Sequence, residues 1–155
     1  MTLFAFEADF ATSLRCIPMG VRYNLDRCGV KLKLQHWLAF DVRPDRQVLV
    51  DLPCADPAEV AAYRDRLYDL VAATGLPAPA ALPVPEVWPW EVATLPEEIA
   101  AKAQGMGLTV RGDRWVHLSP LARFALLKLC RPSHENANFV PALREFGLLA
   151  DGPAP

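Results

Sequence analysis

The feature that most constrains this chain is an internal echo. Moved along by 78 positions, Cys16–Trp37 (CIPMGVRYNLDRCGVKLKLQHW) falls on Thr94–Trp115 (TLPEEIAAKAQGMGLTVRGDRW). Ile17 then meets Leu95, Pro18 meets Pro96, Val21 meets Ile99, Gly29 meets Gly107, Leu32 meets Val110 and Trp37 meets Trp115. Prolines, glycines and tryptophans set backbone angles and core volume, so their recurrence at one offset reads as two copies of one supersecondary unit. The copies are expected to superpose over 16–54 and 94–130.

Within each copy the apolar spacing is helical. Ile17, Val21, Leu25 and Cys28 recur on one face, with Pro18 in the first turn and Gly29 as a left-handed stop. Leu95, Ile99, Ala103 and Met106 repeat the pattern before Gly107, and Thr94 with Glu97 reads as a capping box. Short alternating pieces follow (30–34 and 108–110) and are expected to pair with each other across a pseudo-twofold axis. A second helix follows each tryptophan, RPDRQVLVDLPC in the first copy and SPLARFALLKLC in the second. The latter is apolar nearly all round and is placed in a core. The best-signed helix is 57–74, capped by Asp56, opened by Pro57, boxed by Glu59 and ended by Gly75. A last helix is read from Asn138 to Phe146, with Leu143 and Phe146 inward. Residues 3–10 (LFAFEADF) are expected to be a short strand or an extended arm.

These readings give a mainly all-α fold with at most short β pieces. They divide a single domain, 1–155, into half one at about 14–75, a linker at 76–93 and half two at about 94–148. The linker, LPAPAALPVPEVWPWEVA, holds five prolines and is expected to be extended over the surface.

Composition excludes some functions. A net charge of −2 disfavours nucleic acid or an anionic membrane as main partner, because both need a basic face. The opening MTLFAFEADF has no basic n-region, and no apolar run is of bilayer length, so a cytoplasmic protein is expected. Cys16, Cys28, Cys54 and Cys130 include no C-x-x-C pair, and His36, His117 and His134 fit no zinc spacing. Free thiols without zinc are expected.

Several blocks match a known family as strings: FEADF, SLRCIPM, LDRCGVKL, the Pro-Cys at 53–54, RFALLKLCRPSHENANF and PALREFGL. Across about Phe4 to Leu148 the chain resembles the conserved nitrate reductase-associated proteins of cyanobacteria and some proteobacteria. The resemblance implies a small cytoplasmic accessory protein linked to the assimilatory nitrate reductase, a molybdenum enzyme with an iron–sulfur centre. It supplies no catalytic residues to carry over.

Candidate sites are few. Cys16 aligns with Thr94 and is read as the N-cap of a helix, where backbone N–H groups favour an anion. It is then either a redox-sensitive thiol or a small residue filling the cap. His134 and Glu135, with Arg131, Asn136 and Asn138 around them, are either a partner-binding or acid–base group, or local helix capping. Trp88 and Trp90, separated by Pro89, are aromatics on a stiff segment. They suit a partner surface, or else a lid folded on the helices. Trp37 and Trp115 are read as core.

Two functions follow. One is an accessory protein that binds nitrate reductase and has no catalysis, cofactor or metal of its own. The other is a small thiol-based redox or cofactor-carrying protein using Cys16, with His134 and Glu135 as helpers. A cofactor- or metal-carrying module would need two or more of the thiols to converge.

Overall fold

The computed structural model describes residues 1–132 and 136–150, and the fold is mainly all-α. It divides into two compact units, Met1–Pro85 and Glu86–Pro155, with the boundary inside the proline-rich stretch.

The first unit opens differently from the strand or arm expected of residues 3–10. A 3-10 turn (Ala5–Glu7) runs into α1 (Ala8–Ala11). Helix α2 (Met19–Cys28) follows, with Pro18 at the N-cap and left-handed Gly29 at its end. Val21, Leu25 and Cys28 are buried, as the helical spacing required. The chain then passes through β1 (Val30–Lys31), α3 (Leu34–Ala39), an irregular turn at Val42–Arg46 and α4 (Gln47–Asp51). The stretch 43–54, read as one helix, is thus a turn and a short helix, with extended backbone at Arg43 just before Pro44.

Helix α5 (Pro57–Thr74) has the bounds its signals demanded. Asp56 Oδ1 accepts the Glu59 N–H at 2.8 Å, and Gly75 caps the end in the left-handed region. Tyr63, Leu67, Leu70 and Val71 give α5 its buried face, which packs on α2 and α3. The first part of the proline-rich stretch is strapped onto this unit: β2 (Ala80–Ala81) pairs antiparallel with β1, and His36 Nε2 bonds the Pro77 carbonyl at 2.9 Å. His36 Nδ1 accepts from the Lys33 N–H, which leaves the proton on Nε2.

In the second unit a 3-10 turn (Pro89–Glu91) precedes α6 (Glu97–Gly105), whose N-cap is Pro96. The Thr94–Glu97 capping box does not form, because the helix begins at Glu97 and its N-cap has no side-chain bond. Ile99 and Ala103 are buried, but Met106 has passed the helix end and is 50 % exposed. A 3-10 helix (Gly112–His117) carries Trp115 into the core. Helix α7 (Pro120–Cys130) is capped by the Ser119 hydroxyl and buries Phe124, Leu126 and Leu129 between α6 and α8 (Phe139–Glu145). Leu143 is inward as read, whereas Phe146 is half-buried and already beyond α8. Asn138 holds the N-cap position of α8 without a side-chain cap.

The two alternating pieces take partners from their own units. Val30–Lys31 pairs with Ala80–Ala81, and Val110 bridges to Leu149, which replaces the expected mutual pairing. One contact set nevertheless occurs in both units. Trp37 Nε1 donates to the Leu14 carbonyl (2.8 Å), and Trp115 Nε1 donates to the Val92 carbonyl (2.7 Å). Arg46 lies over the Trp37 ring and shares the Leu14 carbonyl, while Arg123 lies over Trp115 and shares that of Val92. Leu14 and Val92 stand at the same 78-residue offset as the two tryptophans, but the arginines stand 77 apart and α3 has a 3-10 helix as its counterpart, so the duplication is not established by this contact set.

Candidate functional site

The aromatic pair is divided between surface and core. Prolines force the segment into extended backbone, and the Trp88 N–H closes a tight turn on Glu91 Oε2 at 2.9 Å. That turn sends Trp90 inward: it is 5 % exposed and meets Phe124 edge-on at 5.2 Å. Trp90 therefore belongs to the core and not to a partner surface, because its ring is already desolvated by α7. Trp88 stacks on it at 4.5 Å, half-buried, and Val87 and Val92 in the same segment are 68 % and 45 % exposed. In the first unit α3 shows a separate apolar face, where Leu34 and Leu38 are both exposed one helical turn apart.

Cys16 is not a helix N-cap. Helix α2 starts at Met19 with Pro18 at the cap, so Cys16 lies in the bend before it, half-buried. The acceptor at that helix start is Glu7, which the sequence reading passed over. It is 1 % exposed, with Oε2 accepting the Met19 N–H at 2.9 Å and Oε1 that of Phe4 at 3.2 Å. This carboxylate ties the N-terminal segment to α2 by satisfying orphan N–H groups. His134 and Glu135 lie outside the described residues. At the end of α7, Lys102 Nζ donates to the Leu129 and Cys130 carbonyls (3.3 and 3.2 Å).

The thiols that converge are Cys28 and Cys54. Packing of α5 on α2, with the turn from α4 into α5 folded against them, brings the two Sγ atoms to 3.8 Å. Both are buried, at 2 % and 7 % exposure. The Arg27 guanidinium donates to the Cys54 carbonyl and, at 2.8 Å, to that of Ala55. Arg64 donates to the Cys28 carbonyl at 3.3 Å. Hydrogen bonding to Cys54, then burial, pushes the Cys28 thiol well up from its ordinary range. Cys54 moves the other way: the bond from Cys28 and the charge of Arg27 lower it, against burial and Glu59. Cys28 therefore keeps the proton and Cys54 ionises first.

Such a pair can exchange with disulfides or hold a soft cation. Among the described residues no group of three or more His, Cys, Asp or Glu side chains is placed to hold a metal ion. Sequence reasoning missed the pair because its members fit no motif spacing. Their signal lay in the matched strings LDRCGVKL and Pro53-Cys54, each of which carries one of them. Among the described residues no helix is long and apolar enough to cross a membrane.

No curated protein and no solved structure matches the chain. The sequence model of one family, described as the conserved nitrate reductase-associated protein, matches residues 3–146, and with nearly its whole length inside that match the chain belongs to this family.

Proposed function

We propose that the chain is a small cytoplasmic accessory protein that binds the assimilatory molybdenum nitrate reductase and supports its assembly, maturation or activity, without turnover of its own. Family membership over residues 3–146 carries this reading. It is supported by the apolar segment around Trp88, which holds exposed Val87 and Val92 and a ring stacked on buried Trp90. Apolar and aromatic contacts that lose little entropy on docking suit a protein partner.

The test is affinity purification of the tagged chain from nitrate-grown cells, with molybdenum and reductase activity assayed in the eluate. Burying Trp88 against a partner is worth about 2 kcal/mol, roughly thirtyfold in affinity. Val87→Asp with Trp88→Ala should weaken co-purification by that much and leave the melt of the chain intact. Trp90→Ala, a core truncation, should instead cost about 3–5 kcal/mol of stability. The reading fails if no reductase co-purifies and cells lacking the protein keep full nitrate reductase activity.

A further inference from the structure

We propose that Cys28 and Cys54 are a redox-active dithiol that closes reversibly to an intrachain disulfide by exchange with low-molecular-weight disulfides. Two cysteines used only as core filler need no sulfur-to-sulfur hydrogen bond and no cations beside them. Here the sulfurs face each other at 3.8 Å, with Arg27 on the backbone of one and Arg64 on that of the other. Bond formation requires closure to about 2.05 Å. The movable side is Cys54, which lies between the end of α4 and the start of α5, whereas Cys28 is the last residue of α2. Cys54 is also the less buried of the two, 7 % exposed against 2 % for Cys28, with exposed Pro53 and Ala55 on either side, which makes it the sulfur for a small disulfide to meet first.

In the first step the Cys54 thiolate attacks one sulfur of a disulfide RSSR. The RS–SR bond breaks, a Cys54–SR bond forms, and RS⁻ leaves to take up a proton. Cys28 then gives its proton to solvent and attacks the Cys54 sulfur. The mixed disulfide breaks, the Cys28–Cys54 bond forms, and the second RS⁻ leaves and is protonated. Two protein thiols have been oxidised by two electrons, and one RSSR has been reduced to two RSH. This exchange does not depend on reductase binding, and its test needs no reductase.

The test equilibrates the full reduced chain with graded mixtures of oxidised and reduced glutathione, followed by acid quench, alkylation, intact mass and peptide mapping. The half-buried Cys16 and Cys130 are internal controls. The expected result is loss of two hydrogens and a linked Cys28–Cys54 peptide, in mixtures where Cys16 and Cys130 still alkylate fully. Cys28→Ser should accumulate a glutathione adduct on Cys54. The idea is overturned if Cys16 or Cys130 is glutathionylated while Cys28 and Cys54 stay reduced, or if the pair oxidises only in urea. Should Cys28→Ser fail to fold, the wild-type map decides alone.

Discussion

Arg46→Ala probes the contact set on which the first unit closes. The Arg46 side chain is buried, and its guanidinium donates to the carbonyls of Phe40 (3.1 Å), Leu14 (2.9 Å) and Leu38 (3.2 Å) while covering the Trp37 ring. Truncation leaves the Leu14 carbonyl with its Trp37 bond but strips the arginine from Phe40 and Leu38, at the end of α3. A buried acceptor left unpaired costs about 1–3 kcal/mol. The bond to Phe40 is buried and that to Leu38 only part-buried, so with the lost packing of the arginine stem the two give roughly 2–4 kcal/mol. That is a large part of the roughly 5–15 kcal/mol that holds a small protein folded. Arg123→Ala removes the matching clamp, but several of its acceptors lie near water, so about 1–2 kcal/mol is expected. Urea denaturation followed by far-UV circular dichroism measures both, and Arg46→Lys should recover only part of the loss, since an ammonium cannot span three carbonyls. A loss below about 1 kcal/mol for Arg46→Ala, or a larger loss for Arg123→Ala, would refute the reasoning.

Two further outcomes are expected. Gly29 and Gly75 both hold left-handed backbone, but a Cβ on Gly29 would stand 2.8 Å from the Leu82 carbonyl oxygen, whereas one on Gly75 would meet nothing within 4 Å. Gly75→Ala should therefore cost about 1–2 kcal/mol and Gly29→Ala at least twice as much by urea titration; equal costs would mean that the β1–β2 strap yields freely. Burial, and then Glu98, raises the Cys130 thiol from 9.0 to about 11. Its iodoacetamide reactivity should reach half its maximum near that pH, and the stabilising effect of keeping it protonated, complete below 9.0, should be lost as pH rises through about 11. A half-maximum near the ordinary thiol value would show that the site is open to water.

What local chemistry controls was legible in the chain. Helix α5 took its bounds from Asp56, Pro57, Glu59 and Gly75, because capping and left-handed stops act within four residues. The burial of Trp37 and Trp115 followed from their recurrence, and family membership followed from strings spread along the chain. What depends on distant partners was not legible. Cys16 lost the helix start because Pro18 already sets the entry angle and Glu7, twelve residues upstream of Met19, satisfies the N–H. Trp90 turned inward because Phe124 on α7 offers it a ring to pack against. The meeting of Cys28 with Cys54 is fixed by the packing of α5 on α2, a contact between residues that no spacing rule connects.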